Sequence, residues 1–382
     1  MVGALSVEQP DEIPTFESWF APPTADMVLG RQSVLCSLSR QYELLEKRLD
    51  DSFIRASVND VIDFVKKLGW SAITLMTNPS KKSGRPTRIA ENLWRVDDED
   101  IYINPKTRFF SRKKTPIGVG GMSAFRDHVR SLEEEDYNVD LITLDLLRET
   151  IKRLRRDRMD VFVFFSDVAP FPVGVDWLPV LFKAMVTDAG LVMRYFDEVT
   201  KRAIARGEVA IDIGADGFLG GCDLAYKHGP MISPKQYREF ILPFMIKQSD
   251  AFHRKGAFMI NRSDGNLWPI IDDYLINSRV DGMQEIEPTA GMDLGALKEK
   301  FGDRRCFIGN VDCGNTLCCG TPQQVRRETL DCIRKAARGG GYVLGTSNSV
   351  HGGVRPELYL AMLETLRQYK EYGSPEMEGL FV

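Results

Sequence analysis

Along much of this chain the apolar positions fall in short unbroken runs, not in alternation with polar ones. Such runs stand at 71–77, 160–165, 212–219, 257–261, 281–286, 306–309 and 341–344, with a shorter one at 13–16. A run of this length between turn signals predicts a buried strand. Strands that are apolar throughout predict a parallel sheet covered on both faces. Between the runs the spacing turns helical, over 26–68, 141–156, 178–206, 233–253, 268–277, 294–301, 321–338 and 356–372. Ser233-Pro234 and Thr321-Pro322 each place a capping side chain before a proline at the first helical position. About eight strands, each followed by a helix or a long loop, predict an α/β fold. A (β/α)8 TIM barrel accounts for that rhythm better than an open sheet.

Two regions depart from the rhythm. Residues 1–25 read as an N-terminal extension that wraps the surface around the run at 13–16. Residues 79–120 are basic from Lys81 to Arg88 and then alternate over 93–96 and 101–110, with Asn104-Pro105 as a turn. This predicts an inserted antiparallel β-hairpin laid across one end of the molecule. Gly118, Gly120 and Gly121 predict a flexible exit, and the acidic run 133–136 a solvated linker. The whole of 1–382 is expected to form one barrel domain.

A length of 382 residues suits one barrel with insertions. The net charge of −4 gives no general attraction to nucleic acid or to anionic membrane. No apolar run approaches the roughly 20 residues that span a bilayer. Glu8, Asp11 and Glu12 do not suit a signal peptide, so a cytoplasmic location is expected. The seven cysteines include no Cys-x-x-Cys pair, and no histidine lies near Cys313, Cys318 and Cys319 in sequence. Reduced thiols are expected, not disulfides or zinc ligands. No Gly-x-Gly-x-x-Gly follows a strand and no phosphate loop is present. This argues against a dinucleotide or P-loop nucleotide fold.

The chemistry gathers where the apolar runs stop. Asp167, Asp223, Arg262, Asp264, Glu285 or Glu287, Asn310, Asp312 and the pair Ser347-Asn348 each follow a run. Polar residues at the carboxyl ends of barrel strands face the site. Asp, Asn and Ser also cap helices and fix loops, and that reading stays open for each one alone. Their recurrence at six strand ends predicts a polar cleft centred on Arg262 and Asp264. A fixed planar guanidinium there would bind carboxylate or phosphate, or be neutralised by Asp264 or Glu287. His228, beyond the fourth strand, and His351, after the last, are candidate acids or bases. His253 is expected on an outer helix face and His128 in the linker.

Six segments then carry a resemblance: Gly229-Pro-Met-Ile-Ser-Pro234, Phe240-Ile-Leu-Pro243, Ser263-Asp-Gly-Asn266, Glu287-Pro-Thr-Ala-Gly-Met-Asp-Leu294, Ile308-Gly-Asn-Val-Asp312 and Gly339-Gly-Gly-Tyr-Val-Leu-Gly-Thr-Ser-Asn348. In this order, from about Met185 to Tyr372, the chain resembles the uroporphyrinogen decarboxylase superfamily. The resemblance implies a (β/α)8 barrel, and either a cofactor-free decarboxylase or a methyltransferase working with a corrinoid protein. The Arg-Gln-Ala-Gly-Arg motif of the decarboxylase branch is not found, Arg31-Gln32 being a poor counterpart. The matching phrases are more similar to the methyltransferase-like members. Zinc methyltransferases of the family use His-x-Cys at the central strand and a later Cys. Here those positions hold Arg262 and Asp264, and the third falls near Thr346-Ser347. A guanidinium cannot bind zinc, so the family's zinc site is not expected, while a site for another metal formed by Asp264 with Asp223, Glu287 or His228 stays open as the lesser alternative.

The resemblance therefore implies a methyltransferase component that moves a methyl group between a small methyl donor or acceptor and a corrinoid. The chain has no Asp-x-His-x-x-Gly segment, so the cobalamin would come from a corrinoid-binding partner protein. Asp223, His228, Asp264 and Glu287 are the expected catalytic residues. Asp167, Arg262, Asn310, Asp312, Ser347 and Asn348 are the expected substrate-binding residues. A homodimer is compatible with this reading. A decarboxylase of a carboxylated substrate and a non-catalytic barrel subunit are the alternatives.

Overall fold

The computed structural model describes residues 1–79, 84–106, 108–166, 170–221 and 223–381. Seven parallel strands pair in strict chain order: Ala72–Leu75, Phe162–Phe165, Gly217–Gly221, Phe258–Arg262, Gly282–Gln284, Cys306–Ile308 and Tyr342–Val343. Parallel neighbours require crossover connections, and the helical stretches supply them. Alternation divides the side chains between two cores. Val163, Phe165, Met259 and Met283 join the large cluster beneath the helices, whereas Phe162, Phe164, Leu219, Ile260, Ile308 and Val343 meet on the other face. Both faces of each strand are thus apolar, which is why the strands read as unbroken runs.

The expectation of eight regular strands is corrected to a curled sheet of seven. Residues 14–16 form no regular strand, yet they lie between the two edges of the sheet. Leu344 donates its N–H to the Pro14 carbonyl (2.9 Å), Phe16 donates to Leu344 (3.1 Å), and Ser71 donates to Thr15 (3.0 Å). Phe16 belongs to the inner cluster. The extension therefore does not wrap the surface: Ile13, Phe16, Phe20 and Ala21 are buried. One short run had too few residues to reveal this by periodicity.

The inserted region is a four-stranded antiparallel sheet, not a single hairpin: Thr87–Ala90, Leu93–Val96, Glu99–Ile103 and Phe110–Lys113. Its inner face sets Trp94, Ile101 and Ile103 against Tyr42, Leu45 and Phe53. Phe109 stacks on Trp19 at 4.7 Å, which holds the insertion against the end of the 14–16 segment.

The flexible exit is replaced by a helix, Pro116–Glu134, capped by Thr115 and kinked at Gly121 (φ 59°, ψ −142°), and the acidic run 133–136 is exposed at its end, leading into a connection without regular structure. That backbone conformation needs glycine. Phe125 and Val129 anchor the helix, and His128 lies on it. The region 26–68 divides into Pro22–Leu29, Leu38–Glu46 and Asp50–Leu68. The stretch at 178–206 becomes Leu178–Thr187 and Ala189–Ile213, which delays the next strand to Gly217. Leu294–Phe301 spans the expected residues, and Thr321 closes a capping box on Pro322–Ala336. Among the described residues no helix is long and apolar enough to cross a membrane.

Candidate functional site

Strand Phe258–Arg262 carries Ile260 on the inner face, so Arg262, two residues on, leaves that face at the carboxyl end. Its register partners are Gly221 and Gln284. A Cβ at Gly221 would lie 2.9 Å from the backbone of Arg262, so only glycine lets these strands end side by side. Gln284 is 1% exposed, and its Oε1 has no hydrogen-bond partner among the described residues. The next residue, Glu285, turns the chain in the left-handed region (φ 67°). This conformation is uncommon for a residue with a side chain and recurs at functional sites. It leaves the buried Glu285 carboxylate 3.7 Å from the Arg262 Nε.

Further carboxyls surround this pair. Asp264 accepts from the Asn348 side-chain amide (2.8 Å), and Glu285 accepts from the Ser349 hydroxyl (3.2 Å). Glu287 accepts from the Gly265 N–H (3.0 Å) and the Thr289 hydroxyl (2.6 Å). Ser263 accepts from the Leu224 N–H (3.0 Å), tying the central loop to the one that bears Asp223. Burial pushes Asp264 up to about 6, reinforced by the charges of Asp223 and Glu287. Burial likewise pushes Glu285 up to about 7, opposed by Arg262 and reinforced by Asp223 and Asp264. The Glu285 charge holds Arg262 above its ordinary value, so the guanidinium stays charged. The arrangement combines one fixed cation with carboxylic acids able to give up a proton near neutral pH.

The structure thus brings together Arg262, Asp264, Asp223, Glu287 and Asn348. It does not bring in all the others. Asn310 donates to the Ile286 carbonyl (3.2 Å) and meets the Cys332 thiol at 3.4 Å, toward helix Pro322–Ala336. Asp312 accepts from Gly314, Asn315 and the Asn315 side chain, as a loop-fixing aspartate does. The Ser347 hydroxyl accepts from the Cys313 N–H (3.2 Å). His228 is exposed in the turn of the hairpin Ala225–Tyr226 and Gly229–Pro230, without a hydrogen bond to the cluster. His351 accepts from the Gly353 N–H at Nδ1 and contacts the Cys313 carbonyl through Nε2 (3.1 Å). Asp167 lies outside the described residues.

Sequence reasoning left Glu285 undecided against Glu287 and missed Gln284, Ser349 and Glu17. Glu17 is 4% exposed and directly follows the 13–16 run, so the strand-end rule points to it as well. Among the described residues no three His, Cys, Asp or Glu side chains are arranged to hold a metal ion. Arg262 and Asp264 do not suit zinc.

The uroporphyrinogen decarboxylase (URO-D) family model matches residues 117–369. The uroporphyrinogen decarboxylase of Hydrogenovibrio crunogenus is 23% identical over 182 residues, 46% of this chain and 48% of that protein. That of Psychromonas ingrahamii is 25% identical over 135 residues, 34% of this chain and 36% of the relative. The chain therefore spans about half or less of the length of these curated relatives. A solved methyltransferase from Methanosarcina mazei superposes with a TM-score of 0.69 at 19% identity, over 96% of this chain and 97% of that one. The fold is thus shared over nearly the full length. The matched segment runs from helix Pro116–Glu134 through the carboxyl cluster to the last long helix, and the chain belongs to the uroporphyrinogen decarboxylase family.

Proposed function

We propose that this protein is a methyltransferase component, exchanging a methyl group between a small substrate and the corrinoid of a partner protein. The observation that carries the proposal is the acid cluster, in which Asp264 and Glu285 are pushed to about 6 and about 7 beside the charged Arg262. Removing a methyl group from oxygen or nitrogen calls for such acids. The leaving atom keeps the electrons of the broken bond and gains the proton of Asp264 or Glu285, which remains as carboxylate. Arg262 and Asn348 orient the substrate, and Asp223 and Glu287 keep the acids from ionising early. The corrinoid supplies the metal centre that takes up or gives the methyl group.

A docked corrinoid domain needs an accessible surface at the carboxyl ends of the strands. Met76 and Tyr226, 51% and 64% exposed, follow two of these strands, and exposed Phe109 and Phe110 flank the same end. We read residues 13–16 as the eighth stave of a closed (β/α)8 barrel and the chain as one domain, acting in the cytoplasm alone or as a homodimer.

The test mixes cob(I)alamin or methylcob(III)alamin with candidate methyl donors or acceptors and follows the corrin absorbance. A change that needs this protein, and that is lost on Asp264→Asn, supports the proposal. The partly exposed guanidinium of Arg262 also suits a substrate carboxylate, which favours decarboxylation as the second reading. Carbon dioxide release without any corrin change would select it.

A further inference from the structure

Glu17 has no place in the reaction proposed above, yet it is bound to the residues that shape the site. Its Oε1 accepts from the Thr346 N–H (3.0 Å) and its Oε2 lies 2.7 Å from the Thr346 hydroxyl. The same hydroxyl bonds to the Asn348 carbonyl. Asn348 then donates to Asp264, and Ser349 to Glu285. These bonds fix the main chain of the 346–349 turn, and the turn's own Asn348 and Ser349 side chains carry that hold to both raised acids.

The Thr346 hydroxyl fixes which way this chain points. It owns one hydrogen but has two oxygen partners, and a carboxylate and a carbonyl are both pure acceptors. Both bonds can form only if one partner brings a proton, and of the two only a carboxylic acid can. We infer that Glu17 is a positioning residue for the acid cluster, acting as a protonated acid through the 346–349 turn. In that form Glu17 donates to Thr346 Oγ1, which is then free to donate to Asn348. Loss of the proton turns the hydroxyl back to Glu17, frees the Asn348 carbonyl and loosens the hold on Asp264.

The surroundings agree. Burial pushes Glu17 up to about 8, opposed by its bonds to Thr346 and reinforced by Glu285 across the inner face. Tyr359, from helix Pro356–Tyr369, faces Glu17 and accepts from the Trp70 indole (3.0 Å). Cys313 faces it from the loop after Cys306–Ile308. No cation is among these groups; Arg262 stands beyond Glu285. The inference does not depend on the chemistry proposed for the cluster.

The test follows the Asn348 side-chain amide by nitrogen-labelled NMR from about pH 5 to about pH 10, the span in which raised carboxylic acids titrate. Wild type should show a transition near pH 8 above those of Asp264 and Glu285. Glu17→Gln presents an N–H to Thr346 Oγ1 and a carbonyl to the Thr346 N–H, copying the protonated acid. It should keep the low-pH position and lose only the upper transition. Thr346→Val removes the relay and should lose that transition too. The inference is overturned if the upper transition persists in either variant, is absent from wild type, or if Glu17→Gln adopts the high-pH spectrum.

Discussion

Arg262 governs what the side chains around it can do. One guanidinium faces Glu285 at 3.7 Å and feels Asp223 and Asp264, so the carboxyls outnumber it. Replacing it by Met should leave buried carboxyls without a counter-charge, at a cost of about 3–5 kcal/mol. Urea unfolding checks this, and adding Glu285→Gln should restore much of the loss. Asp264 carries the chemical prediction. If it protonates a leaving group, Asp264→Asn should lower the rate roughly 10²–10⁴-fold. For wild type, the acid form is present below its raised value. Turnover should therefore decline as pH rises past about 6, or past about 7 where Glu285 gives the proton. A rate rising with pH over this range would assign the proton transfer elsewhere.

Among the elements, those with two agreeing signals were the readable ones. Helix Pro322–Ala336 has a capping threonine, a proline at its start and a buried stripe from Val325 to Ala336. Thr321→Ala should cost about 1 kcal/mol, measured by denaturant unfolding. The central strand and its Arg262 and Asp264 were legible for the same reason: an apolar run meets charge abruptly. Where one signal stood alone the reading failed. The glycines at 118–121 looked like a loop, but Phe125 and Val129 bury enough apolar surface to hold a helix across a kink. Asn310, Asp312 and Ser347 follow strands as Arg262 does, and only tertiary contacts show that they serve the backbone and helix side. Glu285 owes its place to a positive φ that no residue pattern announces.

At the scale of the whole molecule, two buried acids and one half-buried acid tie stability to pH. Glu17, Glu285 and Asp264 all bind protons more tightly folded than their ordinary values of 4.5, 4.5 and 3.8 allow. Between those values and about 8 the folded chain holds more protons than the unfolded one. Stability should therefore be greatest at the acid side of this window and fall as pH rises through it. Each tenfold tightening of a proton's hold on folding counts for about 1.4 kcal/mol. Melting temperatures recorded across the window check the sign. Glu17→Gln should remove the alkaline part of the decline.

The seam at residues 14–16 couples two segments that lie far apart along the chain. Thr346 reaches back 329 positions to Glu17, and the backbone partners of Pro14 and Phe16 lie at Leu344. During synthesis the 14–16 segment lacks its partner on one flank until Leu344 has left the ribosome. Contacts so distant in sequence form late. Nascent chains arrested before residue 340 should stay open to protease near Trp19, and released chains that include residues 344–372 should not.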